Sequence, residues 1–334
     1  MHPTRAANEN SLAARLPKLG AFFNPGGLGQ HEICARPTLR AGHPYFITKP
    51  PHNEDGHGGY TRLNRFDADG IPYKPADRGR LYHPLVLARY AIRMLQIAHE
   101  QNDPSAAGRA RRMLLPLLES GRRDGVWGAG PTPQSMRAAH PSAMVQGVVL
   151  SALARLGAGR RDKEVAATME CAVERMLRSE ANGGTRSQLE AGPFLEEAPC
   201  TSVKHILNGC IYGLFGLYDT ADVLGHEQAR LVAEEVERTL ASVIGQFIAP
   251  CGWSYYCLAA YGRRYLASAS YHGWHVLQLR VVSARSGLTG LGRAAALWTR
   301  AHDSPPRRAL IGAAKTAQAI WLRDIRGLRL DVCP

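Results

Sequence analysis

Between Tyr271 and Leu279 the chain reads Tyr-His-Gly-Trp-His-Val-Leu-Gln-Leu. On a helix, Tyr271, His275 and Gln278 stand at i, i+4 and i+7 and project from one face. Val276, Leu277 and Leu279 anchor the other side. A phenol, an imidazole and an amide in line suit substrate binding and proton transfer. The plainer alternative is a buried face whose polar tips find partners in the core. A phenol with its pKa of about 10 needs help to act as a base near neutrality, and a helix N-terminus at Tyr271 favours the phenolate. A second group precedes another helical pattern: Glu196-Glu197-Ala198-Pro199, then Asn208 and Tyr212 at i, i+4. Pro199 biases the acidic pair to an extended loop, and adjacent carboxylates raise each other's pKa when buried, as a general acid or base requires. A solvated acidic pair is the alternative. Asn208 and Tyr212 are expected to face a cavity.

A third group is a loop holding Trp253, Tyr255, Tyr256, Tyr261, Arg263, Arg264 and Tyr265. Aromatic rings cover the apolar face of a pyranose, and guanidinium forks bind carboxylate or sulfate. Arg263 and Arg264 are expected at a cavity mouth; simple packing of the aromatics is the alternative. His52-Asn53-Glu54-Asp55-Gly56-His57 mixes metal-capable groups at a spacing that matches no named motif. His272 and His275 at i, i+3 are a similarly weak pair, so no metal and no cofactor is expected.

These groups need elements to hold them. Residues 1–80 are rich in Pro and Gly, with a hairpin expected within Thr61–Tyr73 around the turn Asp69-Gly70. From Tyr82 the pattern turns helical, with Pro84 suited to a first turn and Leu85, Ala88, Ile92, Leu95 and Ala98 at helical spacing. A helix over about Ser105–Leu118 follows. The arrangement then repeats: an apolar helix over Ser142–Leu156 and an amphipathic one over Asp162–Arg178; Ser202–Leu217 and His226–Ile244; Tyr271–Ala284 and Arg307–Leu322. About four hairpins, each with an apolar and an amphipathic member, predict an all-α incomplete α/α barrel, or toroid, with the apolar helices inside. An open solenoid is the alternative. The expected division is a loop-rich segment over 1–80, a toroid over 81–328 and a tail over 329–334.

The net charge of +13 makes a polyanion partner natural: nucleic acid, acidic membrane or acidic polysaccharide. No nucleic-acid motif, P-loop, GxGxxG after a strand or GxSxG elbow is present. Seven cysteines without a CxxC pair fit reduced thiols. With no secretory signal and no membrane span visible, a cytoplasmic protein is expected. A homodimer remains open.

Several of these segments carry a resemblance. His205–Asp219, containing Leu207-Asn208-Gly209, Tyr212 and Gly216-Leu217-Tyr218-Asp219, resembles the LNG helix of D-glucuronyl C5-epimerases. Tyr271-His272-x-x-His275-x-x-Gln278-Leu279 resembles that family's last motif, and Ser142-Ala143-Met144-Val145-Gln146-Gly147 its Ser-Ala-Met-x-Gln-Gly segment. Tyr82-His83-Pro84 with Ala88-Arg89-Tyr90-Ala91 resembles its opening helix. The matches run in order over roughly residues 80–325. The resemblance implies an isomerase that converts glucuronate to iduronate in heparosan-type polymers, without a redox cofactor. It implies Glu197, Tyr256 (Tyr255 stands one step away) and Tyr271 as catalytic groups. Asn208, Tyr212, His275, Gln278, Arg263, Arg264, Tyr255, Trp253, Glu196 and Gln146 are expected around an anionic polysaccharide or uronate-containing glycan. Two positions depart from the family: Ala198 stands where a tyrosine follows the glutamate, and Leu258, Ala259 and Ala260 stand where an arginine follows the loop tyrosine. A uronate lyase, a glycoside hydrolase and a glycan-binding protein without catalysis are the competing readings.

Overall fold

The computed structural model describes residues 31–37, 44–48, 65–76, 79–157, 162–260 and 262–326. Helical hairpins dominate it. The first pairs α1 (Pro84–Gln101) with α2 (Pro104–Gly121), the second α3 (Ala143–Gly157) with α4 (Lys163–Leu177), and the third α5 (Leu207–Leu224) with α6 (Glu227–Val243). The fourth unit has three helices, α7 (Ala269–Ser286), α8 (Thr289–His302) and α9 (Pro305–Arg326). Local chemistry starts them where the sequence changes. Asp103, Asp162 and Ser268 cap α2, α4 and α7 by accepting first-turn N–H groups, and Pro84 and Pro104 occupy first turns where no donor is missed.

Two layers follow from the patterning. Every residue from Leu207 to Thr220 is buried, whereas α6 buries only the stripe through Val232, Val236, Leu240 and Val243. The inner helices α1, α3, α5 and α7 contact one another in sequence order, and each inner helix packs on its own outer partner. The incomplete α/α barrel is therefore present. The α3–α5 crossing is the tightest: a Cβ on Gly216 would collide with Gly147, and one on Gly147 with the Tyr212 carbonyl. Glycine is required there because the two backbones touch.

The fourth unit departs from expectation. The direct partner of α7 is α8, which the sequence reading passed over, and the amphipathic helix near Arg307 is a third member. The sequence of α8, with Gly290, Gly292 and an alanine run, weakens the helical signal. Strands also replace expected loop and helix. β6 (Arg186–Leu189) and β7 (Gly192–Leu195) form a hairpin; β8 (Val203–Ile206), β9 (Tyr255–Ala260) and β10 (Arg263–Leu266) form an antiparallel sheet in the order β10-β9-β8. Thus 203–206 is strand, not the start of a helix.

In the N-terminal part, β1 (His31–Ile33) pairs with β2 (Phe46–Thr48), and β3 (Arg65–Phe66), β4 (Pro72–Ala76) and β5 (Gly79–Leu81) form a meander. The turn at Gly70 adopts φ +75°, with Asp67 Oδ1 accepting from the Asp69 and Ile71 N–H groups. The His52–His57 stretch lies outside the described residues, as does Tyr261. Among the described residues no helix is long and apolar enough to cross a membrane.

The inner helices enclose a cavity of about 230 Å³ lined by Arg89, Arg93 and Gln96 of α1, Ser151 and Arg155 of α3, and Tyr212 and Phe215 of α5, with Trp274 of α7. Tyr45 lines it too, stacked on Phe215 at 4.2 Å. The Tyr45 hydroxyl donates to Asp219 Oδ1 at 2.7 Å, and Arg155 Nη1 donates to Asp219 Oδ2 at 2.8 Å. This buried triad joins the N-terminal segment to α3 and α5.

Candidate active site

The inner helices are each the first member of their hairpin, so their N-termini gather at one end of the barrel. The long connections before them gather there as well. The Glu196 carbonyl accepts from Ala143 N at the start of α3, which ties the segment before α5 to its neighbour. Glu197 follows, its side chain lying across Gly209 so closely that a Cβ there would strike the carboxylate. Asn208 Nδ2, in the first turn of α5, donates to Glu197 Oε2 at 3.4 Å.

The two adjacent glutamates diverge. Burial would raise Glu196, but hydrogen bonds from His205 and Ser187 outweigh it and hold its carboxyl below the usual range. Ser187 Oγ donates to Glu196 Oε1 at 2.6 Å, and the His205 backbone N–H to Oε2 at 2.9 Å. His205 itself has φ +57°, uncommon for a non-glycine and held by that bond. Glu197 goes the other way. Burial raises its carboxyl to about 7, against the pull of Arg89. The expected mutual effect of neighbouring carboxylates is therefore not the cause; different surroundings are.

Two tyrosines face Glu197 from other elements. Tyr256 on β9 and Tyr271 in the first turn of α7 have ring centroids 4.8 Å apart. Burial, then the nearby Glu197 charge, raises both phenols. The hydroxyl–hydroxyl contact raises Tyr256 and lowers Tyr271, as it does when Tyr256 donates. The helix N-terminus was expected to favour a Tyr271 phenolate. The structure corrects this: desolvation prevails over Arg89, and the phenol stays protonated near neutrality.

Arg89 connects this group to the cavity. Its Nη2 donates to the Tyr212 hydroxyl at 2.7 Å, and its guanidinium lies 5.0 Å from the Tyr212 ring centre and 5.8 Å from that of Trp274. Glu197 and Tyr271 both feel its charge. Arg89 and Trp274 were not among the site residues expected from sequence. The signal was there: Arg89 stands four residues after Leu85 and three before Ile92, a cation inside the inward apolar stripe.

Other expected site residues sit elsewhere. Gln146 is fully buried, bonded to the Trp127 N–H and the Gly125 carbonyl, so it braces a loop. Gln278 is fully buried and donates to the Asn208 carbonyl at 3.1 Å, joining α7 to α5. His275 is fully buried, with Nδ1 2.9 Å from Ser254 Oγ, and burial lowers it to about 3. The Tyr271–His275–Gln278 line thus has one end, Tyr271, 39% exposed and the rest in the core. Trp253 stacks on His272 at 3.6 Å and is buried completely, so it offers no ring to a sugar. His272 Nε2 lies 3.0 Å from the Trp298 carbonyl and its Nδ1 accepts from the Ser254 N–H, so both ring nitrogens are engaged within the core; among the described residues no cluster of three metal-capable groups exists. Tyr255 is partly buried beneath Arg264, 5.8 Å from ring centre to guanidinium. Arg263 and Arg264 stand exposed on β10, apart from the residues that line the cavity. Glu196, as described, serves the β6–β7 hairpin. The residues that do converge are Glu197, Asn208, Tyr212, Tyr256 and Tyr271, with Arg89.

Comparison with known proteins follows the same residues. The D-glucuronyl C5-epimerase C-terminus family model matches residues 131–300. The D-glucuronyl C5-epimerase of Caenorhabditis elegans is 30% identical over 103 residues, which make up 31% of this chain and 16% of that protein. Among solved structures, the cellobiose 2-epimerase of Bacillus thermoamylovorans B4167 superimposes with a TM-score of 0.51 at 11% identity, over 72% of this chain and 66% of that one, a likeness of fold. With about half its length matched, including the segments that hold Glu197, Tyr256 and Tyr271, the chain belongs to the D-glucuronyl C5-epimerase family.

Proposed function

We propose that this protein is a carbohydrate epimerase that inverts C5 of uronate units in an anionic polysaccharide or glycan. The observation that carries the reading is the pairing of Glu197, its carboxyl near 7, with two protonated tyrosines brought from separate elements. A proton alpha to a carboxylate is weakly acidic, so its removal needs a base poised near the working pH and stabilisation of the enediolate-like intermediate. Glu197 as carboxylate takes the C5 proton. The electron pair moves into the uronate carboxyl group. Tyr271 then delivers its phenolic proton to C5 from the opposite face, while Tyr256 donates to the phenolate oxygen that remains. Glu197 ends protonated and Tyr271 ionised, and exchange with water resets both. The reverse direction uses the same groups with exchanged roles.

Asn208 holds the Glu197 carboxylate and does not titrate. Tyr212 fixes Arg89. The excess positive charge of the chain favours capture of a polyanion. The test is incubation of a glucuronate polymer of heparosan type with the protein in heavy water. Deuterium at C5 together with iduronate is the expected result. An ultraviolet-absorbing unsaturated product would identify a lyase instead, and new reducing ends a hydrolase; binding without any exchange would overturn the catalytic reading.

A further inference from the structure

We propose that Arg89 is the residue that reads the substrate carboxylate: its guanidinium receives the uronate carboxyl group of the unit being inverted. The inference rests on the reading above and deepens it. Charge that develops on that carboxyl group during proton removal must be met by a preorganised cation. Strand β9 brings none beside Tyr256, since Leu258, Ala259 and Ala260 follow it, and Arg263 and Arg264 are displayed on the exposed part of β10. Arg89 comes instead from α1 and lines the cavity.

Three observations place the fork for this task. It lines the cavity together with Tyr212 and Trp274. It is held by the Tyr212 hydroxyl at 2.7 Å and braced against two rings, which fixes its plane. Its charge acts on both Glu197 and Tyr271, so a carboxylate docked on it is within electrostatic reach of the two groups that exchange protons with C5. A planar guanidinium accepts a carboxylate bidentately, which also orients the sugar. The chemical class selected is a hexuronate, and the corresponding hexose is rejected.

The test compares binding of a heparosan-type oligosaccharide with its carboxyl-reduced counterpart, in which each uronate is a glucose. The wild-type protein is expected to prefer the carboxylated ligand, and Arg89→Gln to lose that preference by about 10- to 100-fold, the scale of a charge-assisted hydrogen-bonded pair. Arg300→Gln, at an exposed position of α8, removes the same formal charge and is expected to keep the preference. Arg89→Lys keeps the charge without the fork and is expected to retain part of the preference while lowering kcat more than it raises KM. Undiminished discrimination in Arg89→Gln overturns the proposal, as does equal loss in Arg300→Gln or no preference in the wild type. If Arg89→Gln fails to fold, unaltered discrimination and turnover in Arg89→Lys overturn it. Carboxylate preference without C5 exchange in the wild type would remove the epimerase reading and leave the Arg89 assignment to be judged on binding alone.

Discussion

Replacing Glu197 with Gln separates catalysis from stability in one variant. The fold raises the Glu197 carboxyl from 4.5 to about 7, chiefly by burial. A raised carboxyl means that the folded state prefers the neutral form. Its contribution to stability is complete below pH 4.5 and is lost as pH rises through about 7. Ionising it in place therefore costs the fold up to about 3 kcal/mol above pH 8. Gln keeps the shape and the neutral state at every pH. With an unfolding entropy of about 2 cal/mol/K per residue, a chain of 334 residues gains about 4 °C in Tm from that amount. The expected outcome of melting scans is a Tm difference, variant minus wild type, that grows by several degrees between pH 5 and pH 8.5. In the same preparations C5 exchange should fall at least about a hundredfold, the scale of a lost general base. A Tm difference that stays flat with pH would refute the buried carboxyl near 7; normal exchange in the folded variant would refute its role as the base.

The wild-type pH profile of kcat/KM should climb through about 7 as Glu197 ionises, with rates measured from pH 5 to 9; a plateau already reached at pH 5.5 would count against it. Tyr271→Phe removes a hydroxyl from a ring that is 39% exposed, so Tm should hold within about 2 °C while C5 exchange drops at least about a hundredfold. Gly209→Ala places a methyl group where the Glu197 carboxylate lies, and exchange should fall more steeply than urea stability. Asp219→Ala removes the carboxylate that pairs with the buried Arg155 guanidinium, and urea unfolding should report a loss of about 3–5 kcal/mol. Ser254→Ala removes the hydroxyl partner of the His275 ring, while His272 keeps the residue-254 N–H and the Trp298 carbonyl; the change should cost about 1–3 kcal/mol in the same assay while the folded fraction keeps its exchange rate.

The alternation of wholly apolar and amphipathic helices was legible because burial on all sides and burial on one stripe leave different patterns, as α5 and α6 show. The second helix of the last unit, α8, was not, because glycines and alanines at 290–296 carry weak periodicity. The strand β9 hid for another reason: its tyrosines have both strand preference and the look of a sugar platform, and only pairing with β8 decides. At the site, Glu197 and Tyr271 could be named from residue type and resemblance, but their protonation could not. That depends on what crowds them, and the neighbours come from α1, β9 and α5. The same gap explains His275 and Gln278, whose line on one helix face was real. The face turned out to look into the core, where Ser254 and the Asn208 carbonyl already meet it.

Tyr45 enters the ring of inner helices from outside the helical repeat. It is 5% exposed, stacked on Phe215 and bound to Asp219, about three turns along α5 from Asn208. The lining of the cavity is therefore not made by the repeat alone. A residue at the start of the short strand β2, outside the repeat, supplies a ring and a hydroxyl, so the shape of the space beside Arg89 and Tyr212 can be altered from the N-terminal segment without changing any inner helix.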